Sequence, residues 1–183
     1  IRKDKIYVDG TLGGAGHSTK IAEKLNNTGL LIGIDRDIEA LEVAKKRLDK
    51  FNNIKFVHGN HDNIKKILEE LNIKNVDGIL LDLGVSSYQI DEASRGFSYM
   101  KEALLDMRMD KTQKLTAKDV INNYKEDELS KIIYEYGEEK FARRIAKNIC
   151  SERKKQEITT TKQLVKIIES SVPEFAKHKE GHV

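Results

Sequence analysis

The stretch Lys5-Ile6-Tyr7-Val8-Asp9-Gly10-Thr11-Leu12-Gly13-Gly14-Ala15-Gly16-His17-Ser18 decides how the rest of the chain is read. Lys5 to Asp9 is a short apolar run ending at a carboxylate, which predicts a strand. From Ser18 to Leu25, the apolar residues Ile21, Ala22 and Leu25 recur at helical steps. Four glycines stand in the seven residues 10–16 between them. Such a turn lets backbone approach a ligand closely, and the helix N-terminus beyond it offers N–H groups without intrahelical partners. The pattern predicts a βα unit with a ligand-facing loop; a plain glycine turn closing the unit is the alternative.

The same alternation continues outward. Leu30 to Asp35 reads as a second strand ending at a carboxylate, and Ile38 to Leu48 as a helix with Ile38, Leu41, Ala44 and Leu48 in phase. Ile54 to His58 is a third strand, Ile64 to Leu71 a third helix, and Val76 to Leu83 a nearly all-apolar fourth strand with Asp82 close to its end. Strands alternating with helices predict right-handed βαβ units and a parallel sheet. Apolar strands without polar alternation predict burial on both faces. The expected fold class is therefore α/β, with a Rossmann-like parallel sheet.

The loop is not a standard phosphate cradle. From Gly14 it reads Gly14-Ala15-Gly16-His17-Ser18-Thr19, so the third glycine of G-x-G-x-x-G is missing, and no G-K-[ST] follows. Asp35 lies 19 residues after Gly16, where a carboxylate accepts both ribose hydroxyls of an adenosine. Capping of the helix near Ile38 is its alternative role. Asp9, Asp35 and Asp82 are expected to line one sheet edge, where ligands of open α/β sheets bind. A carboxylate-lined crevice suits a sulfonium or an ammonium better than a pyrophosphate, which favours S-adenosylmethionine over NAD. His17 follows the glycine turn and is expected to face the pocket. His61 follows the third strand, on the side where adenine is flanked in such folds. His17, His58, His61, His178 and His182 show no metal-ligand spacing on one helix.

The second half carries no strand pattern. Thr116 to Asn123 and Asp127 to Tyr136 read as helices, the second with Leu129, Ile132, Ile133 and Tyr136 on one face and Gly137 as its break. Glu138 to Arg153 reads as another, striped by Phe141, Ile145 and Ile149. Thr161 is expected to cap a last helix carrying Leu164, Ile167 and Ile168. The division is expected at residues 93–110, giving 1–93 as a cofactor-binding part and 94–183 as a helical part.

Composition fits this reading. Of 183 residues, 38% are hydrophobic and 34% charged, enough for a core under a highly charged surface. The net charge is +3. Residues 1–93 carry 14 Lys and Arg against 15 Asp and Glu; residues 94–183 carry 19 against 15, so the positive excess lies wholly in the second half. One cysteine, Cys150, excludes an intrachain disulfide and a cysteine zinc cage and fits a reducing, cytoplasmic setting. Apolar runs such as Ile79-Leu80-Leu81 fall far short of the ~20 residues that span a membrane. Four strands and three helices do not complete a typical nucleotide-binding sheet. With the stop after Gly181-His182-Val183, this leads to the expectation of a truncated chain whose remaining core strands are absent.

Several segments carry a family resemblance. Asp9 to Ser18 resembles the cofactor loop of the small-subunit ribosomal RNA cytosine-N4 methyltransferases, the MraW family. Asp82-Leu83-Gly84-Val85-Ser86-Ser87-Tyr88-Gln89-Ile90-Asp91, Arg95-Gly96-Phe97-Ser98-Tyr99 with Leu105-Asp106-Met107-Arg108-Met109-Asp110, and Tyr136-Gly137-Glu138-Glu139-Lys140-Phe141-Ala142-Arg143-Arg144-Ile145-Ala146 resemble its later signatures, in family order. The resemblance implies a Rossmann-like methyltransferase core with an inserted helical domain that helps bind RNA. It implies S-adenosyl-L-methionine as donor and a cytidine N4 amine of 16S ribosomal RNA, in the small subunit, as acceptor. Carried over position by position, the cofactor contacts are Ala15, Gly16, His17, Asp35, His61, Asp82 and Gln89. At His61 the family usually has Phe, so stacking there involves less apolar area. Beyond the Gly-His corresponding to Gly181-His182 the family continues into further strands.

The chemistry requires an exocyclic amine held in line with an activated methyl group. Asp82 is a candidate to accept from that amine and equally a cofactor ligand. Ser86, Ser87 and Tyr88 are neighbours that could touch the base. Lys140, Arg143, Arg144, Lys147, Arg153, Lys154 and Lys155 are candidates for phosphate contact, unless Glu138, Glu139 and Glu152 pair with them. Rival readings are a DNA amino-methyltransferase, disfavoured because Asp/Asn-Pro-Pro-Tyr is absent, a noncatalytic RNA- or cofactor-binding module, and last an NAD oxidoreductase. Oligomeric state is left open.

Overall fold

The computed structural model describes residues 1–177; the sequence readings at His178 and Gly181-His182-Val183 lie outside the described residues. The chain divides into two compact units. Unit 1 comprises Ile1–Tyr88 with Met109–Lys111, and unit 2 comprises Gln89–Arg108 with the chain from Thr112.

Unit 1 is α/β. Its elements are β1 (Ile6–Asp9), α1 (Gly16–Leu25), β2 (Leu30–Asp35), α2 (Ile38–Arg47), β3 (Ile54–His58), α3 (Ile64–Glu70) and β4 (Gly78–Leu80). The strands are all parallel in the order β3-β2-β1-β4, which is the 3-2-1-4 part of the doubly wound order. Register brings the carboxyl ends level: Asp9 lies opposite Gly33 and Leu80, and Asp35 opposite His58.

Both faces of the central strands are buried, and β2 shows why. Leu31 joins Leu12, Ala22, Leu25, Leu41, Ala44 and Leu48 on one side. Ile32 and Ile34 join Val8 and Ile67 on the other, where Ile64, Leu68 and Leu71 also pack. Successive residues point to opposite faces, so an unbroken apolar run serves two layers. Each fully buried Leu or Ile contributes about 1.5–3 kcal/mol. Gly33 interrupts the run because a Cβ there would come within 2.8 Å of the Leu12 side chain. We expect Gly33→Ala to destabilise unit 1 by about 1–3 kcal/mol through overpacking. In urea unfolding, Gly33→Ala combined with Leu12→Ala should cost less than the sum of the two changes; strict additivity would contradict the contact.

The fourth strand is a correction. The apolar run 76–83 forms only three strand residues, Gly78–Leu80. Because among the described residues β4 pairs with β1 alone and lies at the sheet edge, burial on both faces fails there. Ile79 is 51% exposed and Leu83 68%. Asp82 therefore lies two residues past the strand end.

Unit 2 is helical. After α4 (Ser87–Asp91), which straddles the division, come α5 (Ala117–Asn123), α6 (Glu126–Gly137), α7 (Ala142–Glu152), α8 (Thr161–Ser171) and α9 (Glu174–Lys177). Leu105, Leu129, Ile145, Ala146, Ile149, Ile158 and Val172 form its core, with Phe141, Leu164, Ile167 and Ile168 packed against it. Three local expectations change. Gly137 is the last residue of α6, and the left-handed position falls on Glu138 at φ 52°. Tyr136 is 83% exposed instead of facing the core. Thr160, not Thr161, caps α8, because Gln163 stands three residues after it and completes a capping box. Thr161 instead uses its hydroxyl to donate to Lys101 O and accept from Ala103 N.

The segment 95–108 is held by polar contacts. The Arg95 side chain is buried and donates to the Arg108 carbonyl at 2.9 Å. Arg108 grips Asp106 as a fork, Nε to Oδ1 at 2.9 Å and Nη2 to Oδ2 at 2.7 Å. Gly96 adopts φ +72°, and a Cβ there would overlap the Leu104 carbonyl oxygen. The Arg108 fork holds the Asp106 carboxyl below the ordinary carboxylate range. A carboxylate depressed in the folded state contributes stability that is present above the unfolded value, near 3.8, and lost as pH falls through the folded value. We expect the melting temperature of unit 2 to fall on acidification below about pH 4, and Asp106→Asn to flatten that dependence. An unchanged slope in the variant would exclude Asp106 as its source.

Candidate functional site

The glycine loop of unit 1 is shaped by the carboxylates around it. Asp35, ending β2, accepts from Gly13 N at 2.7 Å through Oδ2 and from Asp37 N at 2.9 Å through Oδ1. A carboxylate has about four acceptor positions, so both oxygens keep capacity for a further donor. The helix-capping alternative for Asp35 falls to Asp37, whose Oδ1 accepts from Glu39 N.

Asp9 does not line the crevice, contrary to expectation. Its side chain is 1% exposed, and its two oxygens are occupied by Thr11 N at 3.2 Å and Ser18 Oγ at 2.7 Å. Burial pushes its carboxyl above the ordinary range against these hydrogen bonds, which lower it. Asp9 braces the loop against α1, and the acidic character of the crevice rests on Asp35 and Asp82.

Ala15 closes the loop in the left-handed region, at φ 60°, fully buried, and no side chain caps α1. Non-glycine residues hold this conformation only where their surroundings impose it; here Ala15 N donates to Leu12 O, and Ala15 O accepts from Thr19 N and Thr19 Oγ1. The helix starts at Gly16, two residues before the expected Ser18, its first backbone bond running from Thr19 N to Ala15 O. A Cβ at Gly16 would meet open space, and its φ is ordinary, so nothing within the chain demands glycine there.

Asp82 and His17 come together above this loop. Asp82 N donates to Thr11 Oγ1 at 2.7 Å, and His17 Nδ1 lies 3.6 Å from Asp82 Oδ2 with both side chains about two-thirds exposed. At that exposure the pair is worth at most about 1 kcal/mol, which leaves both groups available to a ligand. His61 opens a single 3₁₀ turn, His61–Asn63, after β3. Its Cβ lies 3.1 Å from where a Gly10 Cβ would stand, so Gly10 makes room for it at the end of β1. Asn60, just before it, is held by Arg36 Nη2 at 2.7 Å. Thr11, Arg36 and Arg47, which donates to the Gly14 carbonyl, were not apparent from the sequence. Their roles come from contacts between segments far apart in the chain, and no local pattern marks them. Gln89 is 5% exposed and belongs to unit 2, whereas the other six candidate residues lie in unit 1.

In unit 2, α7 buries Ala142, Ile145, Ala146 and Ile149 and turns Arg143, Arg144 and Lys147 outward. Of the expected neutralising pairs one forms, and it lies beyond the outward face of α7. Glu152 pairs with Lys155 at 2.7 Å, and Glu139 accepts from Phe141 N. Among the described residues Lys140, Arg143, Arg144 and Lys147 have no ion-pair partner. Two candidates drop out, since Lys155 is paired and Arg153 donates to the Ile121 carbonyl at 2.7 Å. Among the described residues no group of three or more His, Cys, Asp or Glu could hold a metal ion, and no helix is long and apolar enough to cross a membrane.

A 3-2-1-4 parallel sheet whose carboxyl edge carries a glycine loop held by the aspartate ending β2 defines a Rossmann-like α/β protein. The chain belongs to the MraW methylase family, whose model matches residues 1–183. It is 57% identical over all 183 residues to a Clostridium botulinum protein named Ribosomal RNA small subunit methyltransferase H, covering 59% of that protein. Proteins of the same name from Caldicellulosiruptor bescii and Lachnospira eligens are 56% identical over 93% of this chain and 53% over 100%, covering 55% and 58% of their own lengths. The chain thus spans less than two thirds of the curated relatives it matches.

Proposed function

We propose that this chain carries the cofactor site and RNA-facing helices of an S-adenosyl-L-methionine-dependent methyltransferase acting on the N4 amine of a cytidine in 16S ribosomal RNA. The observation that carries the reading is Asp35, oriented by Gly13 N and Asp37 N with acceptor capacity left on both oxygens. The residues fit the cofactor. Asp35 accepts the two ribose hydroxyls, His61 flanks the adenine, and Gly16 and His17 follow the methionine part, with the buried Ala15 shaping the loop beneath them. Asp82 accepts from a cationic group. When bound, the cofactor supplies a methyl group already activated on a sulfonium.

The chain's own task is then positional. The Asp9–Ser18 and Thr11–Asp82 hydrogen bonds hold the loop open to a ligand. The exposure of Asp82, about two-thirds, supports its accepting from an amine as well as from the cofactor. Arg143, Arg144 and Lys147 supply unneutralised charge for RNA phosphates. The names of the relatives support a small-subunit ribosomal RNA substrate, reached in the cytoplasm. Titration calorimetry with S-adenosylmethionine and with NAD tests the cofactor reading. Saturable binding of the first and none of the second is expected; the reverse order would contradict it.

A further inference from the structure

On α6, Asp127, Ser130 or Lys131, and Tyr134 follow one another at three- and four-residue steps, so they form one stripe. With Glu126, Lys140, Ala142 and Arg143, this stripe lines an open groove of about 890 Å³ within unit 2. Tyr134 is 63% exposed there. Lys140 and Arg143 have no ion-pair partner among the described residues, and Lys131 reaches Glu135 only at 4.0 Å. An exposed aromatic ring beside the unpaired cations Lys140 and Arg143 is the arrangement that single-stranded nucleic acid requires, with stacking for the bases and charge for the backbone. Duplex RNA keeps its bases stacked on one another and gives such a ring nothing to receive.

We propose that this groove binds a single-stranded stretch of RNA, one base stacking on Tyr134 and the adjoining phosphates facing Lys131, Lys140 and Arg143. The proposal rests on the RNA-substrate reading above and adds to it where, and in what form, the RNA is held. Glu126 and Asp127 occupy the first turn of α6, about two turns from Tyr134. They repel phosphate, so the backbone keeps to the Tyr134 end and the carboxylates face base amines or ribose hydroxyls. An acidic peptide would meet the same cations but leave the ring without a stacking partner.

The test is fluorescence anisotropy of the 183-residue chain with a labelled single-stranded RNA of about a dozen nucleotides, and with the same strand in a duplex. Tyr134→Ala should raise the single-strand Kd about 5- to 150-fold, while Tyr134→Phe stays within about twofold and duplex affinity is unchanged. Arg143→Ala should reduce the slope of log affinity against log salt by about 0.7. Cofactor affinity and circular dichroism, unchanged in each variant, show that the fold is intact. Single-strand affinity indifferent to Tyr134→Ala, or lost equally in Tyr134→Phe, would overturn the groove. If the parent still bound RNA in that case, the RNA-substrate reading would survive; a parent that bound cofactor but no RNA would remove both.

Discussion

Asp35→Ala is expected to raise the dissociation constant for S-adenosylmethionine by about 10²- to 10⁴-fold. Two ribose hydroxyls lose a charged acceptor, at about 1.5–3 kcal/mol each, and about 1.4 kcal/mol is tenfold in affinity. The same carboxylate also holds Gly13 N and Asp37 N, so the loop loses a brace together with the ligand contact. Asp35→Asn separates the two effects, since an amide oxygen can still accept from one of them, and its loss should be smaller. Calorimetry with the donor and with its demethylated by-product reads both. Unchanged affinity in Asp35→Ala would remove Asp35 from the site.

Joint reversal of Arg143, Arg144 and Lys147 to Glu is expected to weaken RNA binding about 100-fold or more near 0.1 M salt and to flatten its salt dependence by about 2 in log–log slope. All three side chains point outward from α7 and lack ion-pair partners among the described residues. Their charges therefore act on what lies outside, and replacing them frees no buried partner. Cofactor affinity should not change. RNA affinity and slope equal to those of the parent would mean that this face is only solvated.

Much of unit 1 was legible because its signals are local. Leu30 to Asp35 and Ile54 to His58 form strands with the expected bounds; in the first, a buried central strand leaves an unbroken apolar run. The fourth run misled because an edge strand can look central: Val76 to Leu83 is as apolar as β2, yet only three of its residues pair. Asp9 and Asp35 look alike in sequence, each ending a strand beside the glycine loop. What separates them is Ser18, which comes round on α1 to occupy Asp9. In unit 2 the helical periods were readable, but Tyr136 was not. The left-handed turn at Glu138 ends α6 one residue past it, and its ring falls off the buried stripe. The groove at Tyr134 depends on how the start of α7 sits beside α6, which no period records.

The central claim is a methyl transfer, and its most direct test is nucleoside analysis of small-subunit RNA after incubation with labelled S-adenosylmethionine. Undermethylated small subunits serve as substrate. One reaction contains the 183-residue chain, and a second contains the same residues set in place of the matching segment of the Clostridium botulinum relative, of which this chain covers 59%. The exposed apolar residues Ile79 and Leu83 at the β4 edge would then have further chain to pack against. The predicted result is label recovered as N4-methylcytidine, strongly from the chimeric protein and little or none from the shorter chain. Label in any other nucleoside, or no transfer by a chimeric protein that binds the cofactor, would contradict the account.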